Sequence, residues 1–221
     1  MNFSNLEEER KITILNSALK EFSIKGYDKA STNVIAKEAG ISKGLMFHYV
    51  GSKQELFLFV YDYFNTLLEH EYYAKMDMST KDIFERLRQS YLLQLNLIRK
   101  YPWIFDFDKL FNKTKSDEIN KEHEKRNTKT QDTCDTQIFD EIDVSSFREG
   151  LDIEKCKQFI LWSNIGFTNQ ILDDIKTQKN HTLNYDDILF TLDDYFDELR
   201  KVFYTSNVST KGLVMSDDYK R

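Results

Sequence analysis

TNVIAKEAGISKGLMFHY, residues 32–49, is the stretch on which the reading of this chain turns. Val34, Ile35 and Ala39 recur as one face of a short helix, and Ala36 is small enough for a neighbouring helix to come close. Ser31 or Thr32 is the expected cap at its start. Gly40 accepts a positive φ without steric cost and makes the turn. Ile41 then plugs the space between two helices, and Ser42 caps a second helix running to about Tyr49. Two short helices at a tight glycine turn make a helix-turn-helix, whose second helix is shaped to lie in a DNA groove.

The flanks support that element. Upstream, Ile12, Leu15, Leu19 and Phe22 recur at spacings of three and four, with Ile14 and Ala18 beside them. They predict a helix over about 5–25, opened by Ser4 and Glu7 in the spacing of a capping box and stopped at Gly26. Downstream, Gly51 breaks the chain. Ser52 and Glu55 form another capping box for a long helix carrying Leu56, Phe59, Val60, Tyr63, Phe64 and Leu67, expected to reach about Met76.

Beyond this the pattern stays helical. Ile83, Leu87, Tyr91, Leu95 and Ile98 stripe residues 80–100, and Pro102 suits the first turn of an aromatic helix, PWIFDFDKLF. Residues 113–136 are highly charged and read as a solvated helix face or a mobile segment. Asp152 is an expected cap for a helix to about Ile175, and Asn184 or Asp186 for another to Phe203. From Thr205 onward periodicity is lost and the tail is expected to fray. The expected fold class is all-α, with about nine helices: a three-helix DNA-binding module over 1–51, a larger helical ligand-binding and dimerisation domain over 52–204, and a flexible tail over 205–221.

Composition agrees. Seven glycines and one proline in 221 residues are few, which favours long helices over turn-rich sheets. Net charge is −6, but its distribution is uneven. Between Arg10 and Lys53 stand eight Lys/Arg and three acids, giving +5, so the remaining residues carry −11. A basic N-terminal module on an acidic body suits local phosphate contact. Cys134 and Cys156 have no metal or redox spacing, so a reducing cytoplasm is the expected location. The N-terminus lacks the pattern of a signal peptide, and no run of about 18 apolar residues suggests a membrane span.

An enzyme finds little support. There is no Gly-rich phosphate loop and no G-x-S-x-G. His48, His70, His123 and His181 are scattered, with no second ligand at metal spacing, so neither metal nor cofactor is expected. Paired acids such as Asp186/Asp187 and Asp193/Asp194 lie on a regular helix and read as a solvated face. An all-helical enzyme is the remote alternative.

Residues 14–57, ILNSALKEFSIKGYDKASTNVIAKEAGISKGLMFHYVGSKQELF, resemble the DNA-binding domain of TetR-family transcriptional regulators. The resemblance rests on Ala18 to Phe22 followed by Gly26 and Tyr27, on Thr32 with Ile35 to Gly40, on Ser42 to Gly44, and on the run from Phe47 into Leu56 and Phe57. It implies a homodimer on a near-palindromic DNA operator, most often a repressor released by a small molecule. A DNA-binding accessory or organising protein of the same fold, without an effector, is the alternative.

Candidate DNA-binding residues are Thr32, Ser42, Lys43, Gly44, Leu45, His48, Tyr49 and Lys53. Small Ser42 and Gly44 let backbone approach DNA, the helix start carries partial positive charge, and Lys43 reaches a base edge or phosphate. His48, Tyr49, Lys53 and Thr32 are placed to hold the backbone. The family commonly has a small hydroxyl residue, an aliphatic one and Tyr where this chain has Leu45, Met46 and Phe47. The usual polar contacts at 45 and 47 are therefore not carried over, and Leu45 is left to pack on a thymine methyl.

The resemblance also implies pairing through the last two helices. Candidate interface residues are Phe159, Ser163, Gly166, Leu189, Leu192, Phe196, Leu199 and Phe203. It implies a small-molecule pocket as well, for a largely apolar or aromatic ligand. The aromatic surplus and buried amides suggest Tyr91, Trp103, Phe107, Phe111, Trp162, Asn164, Phe167 and Asn169 as its lining. Operator, effector, regulated genes and sign of regulation are not encoded in any visible motif.

Overall fold

A computed structural model describes residues 6–108, 114–126, 137–177 and 185–205. These residues form nine helices and no strand; one isolated antiparallel bridge joins Phe147 and Tyr204. The helices are α1 (Glu8–Lys29), α2 (Thr32–Glu38), α3 (Lys43–Val50), α4 (Lys53–Glu71), α5 (Ile83–Lys100), α6 (Ile104–Asp108), α7 (Asp117–Arg126), α8 (Ile153–Thr177) and α9 (Tyr185–Phe203). The all-α fold expected from the glycine-poor, helix-periodic sequence is what forms.

By compactness the chain divides into two units, one drawn from 1–78 and 89–138, the other from 79–88 and 139–221. Helix α5 is continuous through Arg88 and Gln89 and so contributes to both.

The first unit is built on the apolar faces of α1 to α4. Ile14, Leu15, Ala18, Leu19 and Phe22 of α1 are buried with Ile35, Met46, Leu56, Phe57, Val60 and Phe64. Phe22, Phe57 and Phe107 form an aromatic knot, with Phe22 edge-on to Phe57 at 4.9 Å and Phe107 at 5.3 Å from Phe57. Such tilted ring pairs add to the gain from area burial alone. Leu97, Tyr101, Ile104 and Ile119 close the same core from α5, α6 and α7.

The second unit packs α8 and α9 with the start of α5. Ile83, Phe84, Leu87, Cys156, Ile160, Leu192, Phe196 and Tyr204 are buried there. Arg86 is also buried; its Nε donates to the Thr80 carbonyl at 2.7 Å and its guanidinium reaches the Asp140 carbonyl at 2.5 Å. Arg88 grips Asp193 through two hydrogen bonds, and Arg200 meets both Asp82 and Glu85 while lying over the Phe84 ring. These ion pairs fix α9 against α5 with the geometry that planar guanidinium favours.

Several boundaries differ from the sequence reading. Helix α1 starts at Glu8 with Glu7 at its cap position, so Glu7 is not the third helical residue that a capping box requires; Ser4 lies outside the described residues. Glu8 and Glu9 in the first turn answer the helix dipole instead. Gly26 does break the helix, at φ 71° and ψ 165°, a conformation essentially reserved for glycine. Helix α4 ends at Glu71 rather than near Met76, because Tyr72 turns inward to hydrogen-bond Ser90 at 2.6 Å, and a short 3-10 turn over Tyr73–Lys75 follows. Pro102 sits in a turn, closed by the Ile104 N–H to the Tyr101 carbonyl at 3.1 Å, and α6 begins only at Ile104. Asp152 caps α8 as expected, its carboxylate accepting the Lys155 N–H at 3.2 Å. Asp186 lies inside the first turn of α9, not at its cap; Asn184 and the tail beyond Thr205 lie outside the described residues.

Candidate DNA-binding helix-turn-helix

The turn between α2 and α3 is fixed by hydrogen bonds. Ile41 N–H donates to the Ala36 carbonyl at 3.0 Å and Gly40 N–H to the Lys37 carbonyl at 3.1 Å. That double closure, with Gly40 at φ 66°, is the glycine-dependent Schellman stop of a helix. Ile41 follows it into the core, as its apolar side chain between polar neighbours predicts. Ser42 then caps α3, its Oγ accepting the Leu45 N–H at 3.1 Å. At the other end Gly51, at φ 76°, separates α3 from α4, and Ser52 Oγ accepts the Glu55 N–H at 3.0 Å.

The start of α2 is held differently from expectation. Ser31 is the capping residue but its side chain makes no cap bond, and Thr32 is the first helical residue. What satisfies the Ser31 N–H is the Glu21 carboxylate of α1, at 2.9 Å and itself buried. Glu21 escaped the sequence reading. Its signal was present: a carboxylate three residues after Ala18, on the apolar face of α1, needs a donor nearby.

Helix α3 presents two faces. Met46 is fully buried (0% exposed) and Val50 is buried below it. Ser42, Lys43, Gly44 and His48 are exposed. Leu45, Phe47 and Tyr49 are half-buried and packed against the core. The departures at 45–47 therefore have a packing explanation: these apolar side chains help seat the helix on the core of the first unit. Lys43 Nζ lies 5.7 Å above the Phe47 ring, and His48 and Tyr49 rings are 6.0 Å apart. Lys53 is half-buried, with Nζ 4.9 Å over the Tyr27 ring and 3.2 Å from the Asp28 carbonyl.

Gly44 is informative because nothing inside the protein requires it. A Cβ there would meet no atom within 4 Å, and the residue has ordinary helical φ. A glycine inside a helix costs roughly 0.5–1 kcal/mol relative to alanine.

The residues expected to line a pocket are drawn from both units. Tyr91, Trp103 and Phe107 belong to the first unit and Trp162, Asn164, Phe167 and Asn169 to the second. Phe107 is fully buried, and Trp103 packs half-buried on the same core. Phe111 lies outside the described residues. Phe167 stacks flat on Tyr195, with ring centroids 4.3 Å apart. Asn164 is half-buried and Asn169 exposed. Trp162, expected to point inward, is 57% exposed on the outer face of α8, 6.0 Å from Phe159.

The residues expected to pair differ in exposure. Leu192 (0% exposed) and Phe196 are buried within the chain, Phe196 against Phe84 at 5.9 Å, so they do not face a partner. Ser163 is engaged by the Tyr195 hydroxyl. Leu189, Leu199 and Phe203 are half-buried. Among the described side chains of these two helices, the large apolar ones left exposed are Phe159, Trp162 and Ile165 on α8, beside exposed Gly166, and Phe190 (76% exposed) and Val202 on α9. Sequence periodicity located the apolar stripe of α9 but could not separate its inward centre from its outward edges.

Among the described residues no group of His, Cys, Asp and Glu is placed to hold a metal ion, and no helix is long and apolar enough to cross a membrane. Cys156 is a free, buried thiol, raised above its ordinary value by burial and by the Asp152 charge.

A fixed turn, a capped second helix with an exposed small-residue start, and a helical body define the chain as a helix-turn-helix protein of the two-part, all-α kind. Residues 14–65 match the sequence profile of "Bacterial regulatory proteins, tetR family". The chain is 42% identical over 57 residues to "Uncharacterized HTH-type transcriptional regulator YuxN" of Bacillus subtilis (strain 168), covering 26% of this chain and 20% of that one. It is 42% identical over 50 residues to "HTH-type transcriptional repressor AcnR" of Corynebacterium jeikeium (strain K411), covering 23% of this chain and 26% of that one. The chain thus matches only about a fifth to a quarter of the length of these curated relatives. The likeness of fold runs further. The ketosteroid transcriptional regulator KstR2 of Mycobacterium tuberculosis aligns with a TM-score of 0.61 at 18% identity, over 91% of this chain and 97% of that one. A TetR family transcriptional regulator from Chloroflexus aurantiacus J-10-FL aligns with a TM-score of 0.55 at 18% identity, over 92% and 97%.

Proposed function

We propose that this chain is a non-enzymatic regulator of transcription that binds double-stranded DNA through α3 as a homodimer. The observation that carries this is the exposed start of α3, where capped Ser42, projecting Lys43 and an internally unnecessary Gly44 stand on a scaffold fixed by α1, α2 and α4. A backbone without side chains at that end approaches the groove closely, and the helix start suits a phosphate oxygen. Lys43 supplies base or phosphate contact; Thr32, His48, Tyr49 and Lys53 supply backbone contact. Leu45 contributes only its exposed edge.

One recognition helix reads few base pairs, so a near-palindromic site read by two copies is the functional unit. The second copy is proposed to pair over Phe159, Trp162 and Gly166 of α8 with Phe190 and Val202 of α9. Large apolar side chains left exposed on both helices are what such an interface needs. Gly166, like Gly44, has no internal neighbour within 4 Å of a would-be Cβ, so its smallness serves an approach from outside.

The action proposed is repression in the cytoplasm, where the DNA is, relieved by a small and largely apolar or aromatic ligand. AcnR, 42% identical over 50 residues, is by name a repressor. A ligand shifts such a system only by favouring one arrangement of the DNA-reading module. The test is selection of duplexes from a random pool by the full chain, followed by affinity against salt. A repressor of this kind enriches a near-palindrome whose log affinity falls by about 0.9 per phosphate contact per log unit of salt. Failure to enrich any duplex refutes the proposal.

A further inference from the structure

Lys53 opens α4 beside the turn that ends α1, and two features of that turn hold it. Gly26, at φ 71°, swings the chain so that Tyr27 and Asp28 come back against the start of α4. The Tyr27 ring is itself set in place, edge-on to Phe57 at 5.0 Å and stacked near Phe22 at 6.5 Å. Lys53 Nζ lies 4.9 Å over that ring and donates to the Asp28 carbonyl at 3.2 Å. Burial, helped by the Glu118 and Asp28 carboxylates, raises the Tyr27 phenol above its ordinary value, so the ring under the ammonium stays neutral.

Asp28 is engaged at both ends. While its carbonyl takes Lys53, its carboxylate accepts the Lys115 N–H at 3.1 Å. The segment bearing Lys115 is seated on the same unit: Ile119 is fully buried in the common core, and Arg126 pairs with Asp62 of α4 at 3.0 Å. One residue thus bridges the lysine at the start of α4 and the segment over 114–126.

We propose that Tyr27 and Asp28 are positioning residues that hold Lys53 for a DNA phosphate, with Asp28 linking that hold to the 114–126 segment. This rests on the DNA-binding reading above. An ammonium has three donors; the ring face and one carbonyl occupy two directions and leave the third for a phosphate oxygen. A lysine already restrained has lost its rotamer freedom before DNA arrives, so less is lost on binding. The opposite sign is physically available: the same contacts could hold Lys53 away from DNA, and then loosening them would tighten binding.

The experiment uses the full chain and the best duplex that the wild-type chain recovers from a random pool. Lys53→Gln removes one phosphate contact from each copy of the dimer and lowers the salt slope by about 1.8. Tyr27→Leu weakens binding about threefold in the wild-type background, lowers the slope in part, and has no further effect on top of Lys53→Gln. Tyr27→Phe, which keeps the ring, restores wild-type affinity and slope. Asp28→Ala behaves like Tyr27→Leu, its loss also vanishing on top of Lys53→Gln. Equal losses in both backgrounds, as a folding defect would give, overturn the inference while leaving the DNA-binding reading intact. So does tighter binding by Tyr27→Leu, or no change. A wild-type chain that enriches no duplex overturns both together.

Discussion

The Tyr195 hydroxyl donates to Ser163 Oγ at 2.7 Å, joining α9 to α8 while the Tyr195 ring lies flat on Phe167. This pair assigns the faces of α8. Cys156, Ile160, Ser163 and Phe167 lie toward the interior or α9, and Phe159, Trp162 and Gly166 remain outside. Substitutions on the two sides therefore have different consequences. Under the proposed pairing, Trp162→Asp and Phe190→Asp are expected to leave folding intact and to give a monomer in sedimentation experiments. Leu192→Ala, inside, lowers stability by about 2–5 kcal/mol. A wild-type chain that is already monomeric at micromolar concentration would refute the pairing surface.

Gly44 separates stability from binding. Gly44→Ala places a methyl in open space on a helix and raises stability by roughly 0.5–1 kcal/mol. The same methyl intrudes where DNA backbone is proposed to lie, so affinity for the selected duplex falls. Thermal unfolding and a binding titration on one preparation check both signs. Tighter or unchanged binding would remove Gly44 from the contact surface.

Gly40 carries the turn itself. Its φ of 66° is strained for a branched side chain, whereas asparagine tolerates it. Gly40→Val is expected to cost more than about 1 kcal/mol, and Gly40→Asn distinctly less. Equal losses in denaturant melts would mean that conformation is not what the position selects.

Glu21→Ala removes the acceptor of the Ser31 N–H. Leaving a part-buried donor unmatched costs about 1–3 kcal/mol. Glu21→Gln retains an acceptor oxygen and should recover much of the loss. Amide exchange at Ser31 reads the effect directly: protection drops in the alanine variant and returns in the glutamine one.

The helix-turn-helix was legible because its determinants are local. Gly40, Ser42, Gly51 and Ser52 act on neighbours a few positions away, and the apolar residues between them repeat at helical spacing. Glu21, Tyr72 and Arg86 were not legible, because each satisfies a group far along the chain: Ser31, Ser90 and the Asp140 carbonyl respectively. In α9 periodicity alone puts Leu189, Leu192, Phe196, Leu199 and Phe203 in one stripe. Only packing against Phe84 tells that Phe196 is interior while Phe190, off the stripe, is open. That Leu45 and Phe47 are shared between packing and surface was not legible.

The Glu21 clasp on Ser31 also bears on how such a protein can diversify. The entry to the reading head is anchored by α1, and Met46 and Val50 anchor its second helix from beneath. Lys43 and His48 carry none of that anchoring. On the proposed reading, exchange at Lys43 is expected to alter the preferred DNA sequence and exchange at His48 the strength of binding, neither of them refolding the chain, so binding evolves on a frame that need not change with it.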